Sequence, residues 1–175
     1  FETMRSMYRA MAQADENYED RRSASQMTGG AGELMAKWNR DEKTLSGPFL
    51  GQVMERALKM AESNACMKRI VAAPTAGSCG VLPAGMITYQ KLEKCPEDEI
   101  VKALFVAAGI GQIIASRASI AGAQGGCQAE IGSASAMTAG ALVFLRGGSL
   151  QQIYEATALA LKGLLGLVCD PVAGL

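Results

Sequence analysis

The sequence has 175 residues, and its 17 basic and 17 acidic side chains give a formal net charge of zero. We therefore expect neither a nucleic acid nor an acidic membrane surface as a partner, because no net field attracts a polyanion. Only 5% of the residues are aromatic whereas 20 are glycines. The core is therefore expected to form by close approach of backbones rather than around large rings.

The chain contains five cysteines and no histidine. The cysteines are odd in number and widely spaced, and no secretory signal precedes them, which favours a reducing cytoplasm over a disulfide-bonded fold. The lack of histidine excludes zinc sites of the mixed Cys/His type, triads built on histidine and the commonest general base. Acid–base chemistry in this chain therefore needs another group.

A chain of this length is expected to form one compact domain, residues 1–175, that buries roughly two-thirds of the surface exposed in the unfolded state. The sequence opens at Phe1 rather than at a methionine, and it stops at Leu175 directly after a glycine. We therefore expect both ends to be truncated, so that the domain is a piece of a longer protein.

The first third of the chain predicts two helices separated by a loop and a short helical run. Apolar residues at helical spacing predict an amphipathic first helix, whose core face carries Met4, Met7, Tyr8, Met11 and Tyr18. Small and turn-forming residues over 23–32 indicate a loop before a short run at 33–38. A serine and a proline then mark the start of a helix expected over 46–64.

The middle of the chain predicts a glycine-rich turn that leads onto a helix. A short apolar run at 70–73 is followed by the sequence PTAGSCG at 74–80. Helical character resumes over 82–92, where Pro83 is tolerable in the first turn. This pattern indicates a turn that brings its backbone to the N-terminus of a helix.

An apolar helix is expected next, beginning at 95–99, where a proline and three carboxylates suit the positive end of a helix. Residues 100–120 follow almost wholly without charge. A helix that is apolar on all faces is typically buried, so this one is expected in the core.

Two further helices are expected after a glycine-rich break at 122–126. The first runs over 129–145 and is rich in Gly, Ala and Ser, and the glycines of 146–148 stop it. The sequence SLQQ at 149–152 fits a capping box that opens a last helix through Val168. No strand alternation of useful length appears, so the predicted fold is all-α, a compact helical domain with Gly/Ala-rich buried central helices.

Membrane insertion is the first alternative for such apolar segments. A spanning helix needs about 20 consecutive, mostly apolar residues. The uncharged runs here are shorter, because they are interrupted by Lys102, Arg117, Glu130, Arg146, Glu155, Lys162 and Asp170. We therefore expect no membrane-spanning segment.

Two segments carry the composition of a binding site: the turn at 74–80 and the stretch AGAQGGCQAEIGSASAM at 121–137. Each combines glycines, a cysteine and small hydroxyl side chains next to a helix start. Glycines let the backbone approach a ligand, and the N–H groups at a helix N-terminus attract a carboxylate or phosphate. An anionic small molecule is the expected ligand, and an ordinary loop cap is the alternative. Neither Walker nor GxGxxG spacing is present.

Three strings, PTAGSCGVLPAG, GAQGGCQAEIGSASAM and CDPVAGL, resemble the α chain of bacterial iron–sulfur L-serine dehydratases in the same order. Upstream, QMTGGAG is similar to a loop that lies near the substrate in that family. The resemblance implies an enzyme that contains no pyridoxal phosphate and converts L-serine to pyruvate and ammonia.

The same resemblance implies a 4Fe-4S cluster held by three cysteine thiolates, with one iron open to the substrate hydroxyl. Cys127 and Cys169 match two of these ligands, and the family's third cysteine is expected beyond Leu175. Taken singly, either cysteine could instead be a small buried hydrophobic residue.

For the substrate, the motifs and the physics of helix termini imply a carboxylate pocket made from Thr75, Gly77 and Ser78. The loop residues Thr28, Gly29 and Gly30 are expected to close over it. The resemblance further implies that the general base comes from a β domain or β chain of the same enzyme, in a larger homo- or hetero-oligomer. Within this chain, Lys68 and Glu130 are the remaining candidates for the base, and each would need a shifted pKa to serve as one.

Two other readings stay open at this point. A related cysteine desulfidase would release thiolate instead of hydroxide, although the residues of the 74–80 and 169–175 strings favour the serine enzymes. A non-catalytic helical interaction domain would carry all five cysteines as inert, buried residues.

Overall fold

The computed structural model describes residues 1–41 and 44–167, which form seven α-helices and one short 3-10 turn. No β-strand occurs in these two ranges, which confirms the all-α prediction. The helices are α1 (Glu2–Glu16), α2 (Ala31–Arg40), α3 (Gly47–Ala65), α4 (Val81–Glu93), α5 (Glu97–Arg117), α6 (Gly122–Leu145) and α7 (Leu150–Gly163). The 3-10 turn, Ala76–Ser78, lies shortly before α4.

Helix α6 lies at the centre of the domain, where it packs against α4, α5 and α7. Ala136 and Ala141 on this helix are fully buried. A Cβ atom at Gly140 would overlap with Ile110 Cδ1 of α5 and would lie 3.0 Å from Thr157 Oγ1 of α7. A larger side chain there would force the helices apart. The core is therefore built by close backbone approach, as the composition indicates.

Helix α1 packs against α3, α4 and α5. Tyr8 and Met11 are buried, whereas Met7, expected on the same core face, is 42% exposed. The side chain of Asp15 is 5% exposed and forms ion pairs with Arg56 of α3 and Lys91 of α4. One buried carboxylate between two cations thus ties three helices together.

Several helix ends follow their local sequence signals. Helix α4 covers 81–93 where 82–92 is predicted, and α3 begins directly after Ser46. The capping box of α7 is present: Gln152 N donates to Ser149 Oγ over 3.3 Å, and Ser149 N donates to Gln152 Oε1 over 2.8 Å. Helix α7 nevertheless ends at Gly163, although the prediction carries it to Val168, a residue outside the described ranges.

The glycine-rich segment predicted as a break is mostly helical. Residues 122–125 form a first turn of α6, and the interruption is confined to Gly126, with φ +72° and ψ 179°. Glycine adopts this backbone conformation without the strain that a Cβ atom would add. Regular helix therefore resumes at Cys127, two residues before the predicted start at 129.

Helix α5 is not buried on all faces, contrary to the expectation from its apolar sequence. Phe105 is 48% and Ile113 is 54% exposed. By length and composition alone, α5 is the one helix of the described residues that could cross a membrane, and one-third of its most apolar stretch is buried. The helix also ends at Arg117 rather than at 120. Its neighbours α1, α4 and α6 cover one side, a fact that its own composition does not encode.

Candidate active site

Hydroxyl groups hold the turn at 74–80 together. The N–H of Thr75 donates to Ser78 Oγ over 3.4 Å, and the side-chain oxygens of the two residues lie 3.2 Å apart. Ser78 is 1% exposed, Thr75 is half-buried and Gly77 is exposed. Of the three predicted substrate contacts, Thr75 and Gly77 are therefore accessible, whereas Ser78 stabilises the turn from inside.

Two contacts fix this turn on helix α3. A Cβ atom at Gly80 would lie 2.6 Å from the carbonyl oxygen of Ala57. The backbones of the turn and of α3 are therefore in contact at Gly80, where a larger residue would not fit. Asn64 Nδ2 donates to the carbonyl oxygen of Ala76 over 3.1 Å. The position of the turn is therefore set by helix packing and by the Asn64 side chain, which no local sequence motif marks.

The Glu130 carboxylate lies between two glycine-containing turns. A Cβ atom at Gly77 would be 2.6 Å from Glu130 Oε2, and a Cβ atom at Gly122 would be 2.8 Å from the same oxygen. The structure thus brings together the two segments, 74–80 and 121–137, that have the composition of a binding site. Within the described residues, Glu130 makes no hydrogen bond or ion pair.

Cys127 begins the regular part of α6, directly after the Gly126 kink, and it is exposed. It lies three residues before Glu130, so the two side chains share one side of the helix. Cys169, the second predicted ligand, lies outside the described residues. In the ranges 1–41 and 44–167, no group of three or more Cys, Asp or Glu side chains is arranged to hold a metal ion.

The other described cysteines differ from Cys127 in environment. Cys79 is 2% exposed, and burial raises the pKa of its thiol to about 11. Cys66 and Cys95 are half-buried, and burial also raises the pKa of Cys95. Of these four cysteines, Cys127 is the one whose side chain is exposed.

The loop containing Thr28, Gly29 and Gly30 is attached to α3 by Glu62. This carboxylate is 6% exposed, and its Oε1 accepts hydrogen bonds from Ala31 N at 2.7 Å and from Gly32 N at 3.2 Å. The first N–H groups of α2 are therefore already occupied by a side chain of the protein. A second anion cannot use the same two donors while Glu62 holds them.

Tyr18 adds to the Glu62 contact, because its hydroxyl donates to Glu62 Oε2 over 2.7 Å. Burial, and after it this hydrogen bond, raise the pKa of Tyr18. Sequence reasoning misses Glu62, since its partners lie about 30 and 44 residues away and a glutamate near a helix end is usually solvent-exposed.

Lys68, a candidate base, lies in a different contact from Glu130. Its Nζ pairs with Glu19 Oε1 at 2.9 Å. The pKa of Glu19 is lowered, and the largest cause is the hydrogen bond from Lys68. The ammonium group is therefore engaged with a carboxylate in the loop after α1. The structure thus places one of the two candidates, Glu130, against the glycine turns.

Comparison with known proteins adds direct relatives to this geometry. The chain is 44% identical over 153 residues to the probable L-serine dehydratase alpha chain of Bacillus subtilis (strain 168). The aligned region is 87% of this chain and 51% of that protein. It is 47% identical over 133 residues to the L-serine dehydratase alpha chain of Peptoniphilus asaccharolyticus, with 76% and 46% covered. The L-serine dehydratase TdcG of Escherichia coli (strain K12) is 45% identical over 119 residues, with 67% and 26% covered.

The chain thus spans about half the length of the two alpha chains that it matches. The serine dehydratase alpha chain family matches over residues 1–175. This match includes the turn at 74–80, the α6 segment with Cys127 and Glu130, and the loop at 28–30. The chain belongs to the serine dehydratase alpha chain family.

Proposed function

We propose that the chain is the catalytic α part of an iron–sulfur-dependent L-serine dehydratase, which converts L-serine to pyruvate and ammonia. The observation that supports this most directly is the meeting of Gly77, Gly122 and Glu130 next to exposed Cys127. These residues belong to the segments that resemble the family. The names of the related proteins support the same substrate.

Cysteine thiolates of this chain hold the proposed cofactor. Cys127 and Cys169 would bind two irons of a 4Fe-4S cluster, with a third thiolate from outside residues 1–175. Cys127 fits this role because it is exposed at the start of a helix, directly after a kink. When bound, the cluster supplies a Lewis acid to the hydroxyl group of the substrate. Pyridoxal phosphate is then not required.

The turn at 74–80 is proposed to orient the substrate. The Thr75 hydroxyl and the N–H of Gly77 would bind the carboxylate of L-serine, since both residues are accessible. Ser78 contributes by holding the turn in shape. Thr28, Gly29 and Gly30 would cover the bound substrate, with Glu62 fixing the end of their loop.

The reaction balances without any further reagent. Loss of the α-proton and of the β-hydroxyl, together one water molecule, converts L-serine to 2-aminoacrylate. This tautomerises to 2-iminopropionate, which takes up one water molecule and gives pyruvate and ammonia. The residues of the chain orient the substrate, exclude bulk water and align the bond to the α-proton with the incoming base.

The base itself is proposed to come from the β part of the enzyme. The chain has no histidine, and Lys68 is paired with Glu19. We therefore propose that this α part assembles with a β domain or β chain. We further propose that the enzyme is cytoplasmic and forms an oligomer with further copies.

The test is anaerobic reconstitution of the full-length enzyme with its β part. We expect visible thiolate-to-iron absorption and release of pyruvate from L-serine. Cys127→Ser should remove both signals, whereas Cys95→Ala should retain them, because Cys95 lies outside the glycine turns. A cluster-loaded enzyme without serine turnover would contradict the proposal. Faster turnover of L-cysteine, with release of sulfide, would indicate a desulfidase instead.

A further inference from the structure

Glu130 differs from other carboxylates of the domain that are buried or half-buried. Glu62 accepts two backbone N–H bonds and a tyrosine hydroxyl bond. Glu55 is bonded to Lys59 and Asn39. Glu130 is half-buried, and yet the described residues give it no hydrogen bond and no ion pair.

An unpaired charge in a half-buried position costs free energy, because it loses water without gaining a partner. Folded proteins usually pair such groups within the chain. Where they do not, a ligand can supply the missing partner. For a carboxylate, that partner is a cation with hydrogen-bond donors.

The surroundings of the carboxylate fit a small ligand. Glycine stands at both Gly77 and Gly122, where a Cβ atom would come within 2.8 Å of Glu130 Oε2. Because neither position carries a side chain, the Glu130 carboxylate fits between the two turns. Exposed Gly77 of the 74–80 turn lies against Glu130 Oε2, and exposed Cys127 lies one helical turn away on α6.

We propose that Glu130 binds the α-ammonium group of the amino-acid substrate. The inference rests on the proposed function, under which the ligand carries a carboxylate, an ammonium group and a hydroxyl group. The turn at 74–80 takes the carboxylate, and the carboxylate of Glu130 takes the ammonium group through charge-assisted hydrogen bonds. Because the carboxylate and the ammonium group of the ligand are each held at a fixed position, the orientation of the α-carbon is set.

Glu130 is on this account a specificity-determining residue and not the base. It selects amino acids over carboxylic acids of the same shape that lack the ammonium group. A site that pairs the charge of its ligand rejects a ligand without that charge, so L-alanine should be preferred over propionate. Loss of Glu130 should accordingly weaken binding more than it slows the chemical step.

The test compares L-alanine with propionate as inhibitors of the full enzyme, reconstituted anaerobically with its β part. The two compounds differ by the ammonium group, and neither has a hydroxyl group to lose. We expect the native enzyme to bind L-alanine more tightly than propionate, by about tenfold or more, and Glu130→Gln to abolish this preference. The KM for L-serine should rise by about tenfold to a hundredfold in the variant, with a smaller change in kcat. Direct calorimetric titration with L-alanine measures the same loss without turnover.

Glu155→Gln is the matched control, because Glu155 is exposed on α7 and its described partner is the neutral side chain of Gln151. It should leave the preference and the KM unchanged. Melting temperature and iron content of Glu130→Gln should stay at native values. Glu130→Asp, which keeps the charge but shortens the side chain, should retain part of the preference.

Two outcomes would overturn the inference while leaving the proposed function standing. One is an active Glu130→Gln enzyme that still prefers L-alanine over propionate. The other is a collapse of kcat with that preference intact, which would make Glu130 the base. If the native enzyme releases no pyruvate from L-serine but binds L-alanine through Glu130, the proposed function fails and the ammonium site stands.

Discussion

Gly77 leaves room for the Glu130 carboxylate, and a single methyl group would occupy that room. The added Cβ atom in Gly77→Ala would lie 2.6 Å from Glu130 Oε2, the far end of a flexible side chain. The carboxylate can move away at a cost of less than about 1 kcal/mol of folding free energy. We therefore expect the KM for L-serine to rise by about tenfold, as Glu130 leaves its position. Steady-state kinetics of the full enzyme measure this.

Gly109→Ala is the control for that substitution, since a Cβ atom at Gly109 would meet no atom within 4 Å. Alanine in a helix interior is more stable than glycine by about 0.5–1 kcal/mol, so the melting temperature should stay equal or rise. The KM should not change. An unchanged KM in Gly77→Ala as well would contradict the assignment of Glu130 to the substrate.

The cysteines should differ in reactivity according to their burial. Cys79 is buried with a pKa raised to about 11, so its thiol stays protonated at pH 8, whereas Cys127 is exposed. In cluster-free native protein, iodoacetamide should alkylate Cys127 at least about tenfold faster than Cys79. Peptide mass spectrometry after timed quenching measures both rates, and unfolding in urea should remove the difference. Equal rates in the native protein would show that Cys79 is not shielded.

At the scale of elements, the last turns of α3 organise two loops that are distant in sequence. Glu62 binds the N-terminus of α2, and Asn64 binds the carbonyl oxygen of Ala76 in the 74–80 turn. One helix end thus holds both loops that the resemblance connects with substrate binding. Displacement of this helix end would alter the two loops together.

Glu62→Ala should therefore destabilise both the fold and the loop before α2. The substitution removes three hydrogen bonds to a buried charge and leaves two backbone donors and a tyrosine hydroxyl unsatisfied. We expect a loss of about 2–4 kcal/mol in the free energy of unfolding, measured by urea denaturation. Amide exchange over 18–34 should accelerate. The exposed Glu155→Ala should cost less than about 0.5 kcal/mol, and a similar loss in both variants would contradict the role of Glu62.

Local signals predict the elements well where the signal is complete within a few residues. The capping box at 149–152 and the boundaries of α4 are of this kind. The break at 122–126 is predicted from glycine content, but glycine also tolerates helix, and one residue, Gly126, carries the whole interruption. The contact of Glu130 with Gly77 joins residues 53 positions apart, because helix packing brings them together.

At the scale of the whole domain, composition predicts the core better than it predicts the surface. The shortage of aromatic residues and the number of glycines indicate close helix packing, and α6 provides it. The exposure of α5 is not predictable from its apolar sequence, because an apolar residue has the same identity whether or not a neighbour covers it. The family strings predict Cys127 as a cluster ligand, and the lack of histidine leaves Glu130 as a candidate base. Glu62 and Asn64, in contrast, emerge from tertiary contacts.

The lack of histidine in residues 1–175 gives the last prediction: the full-length α part with a reconstituted cluster, but without β, should be inactive. Lys68 is paired with Glu19, and Glu130 is assigned to the ammonium group, so neither is available as the base. General acid–base catalysis typically contributes 100-fold to 10,000-fold, and its absence should reduce pyruvate release by at least about 100-fold.

Addition of the β part should restore the rate in a saturable way, measured by anaerobic coupled detection of pyruvate. A histidine-to-glutamine scan of the β part should then identify one histidine whose replacement leaves binding of β to α intact but abolishes turnover of L-serine. If cluster-loaded α alone turns over L-serine at the rate of the complex, the base lies in the α part rather than in β. Lys68→Met would then test the remaining candidate, since it removes the amine while retaining most of the side-chain volume.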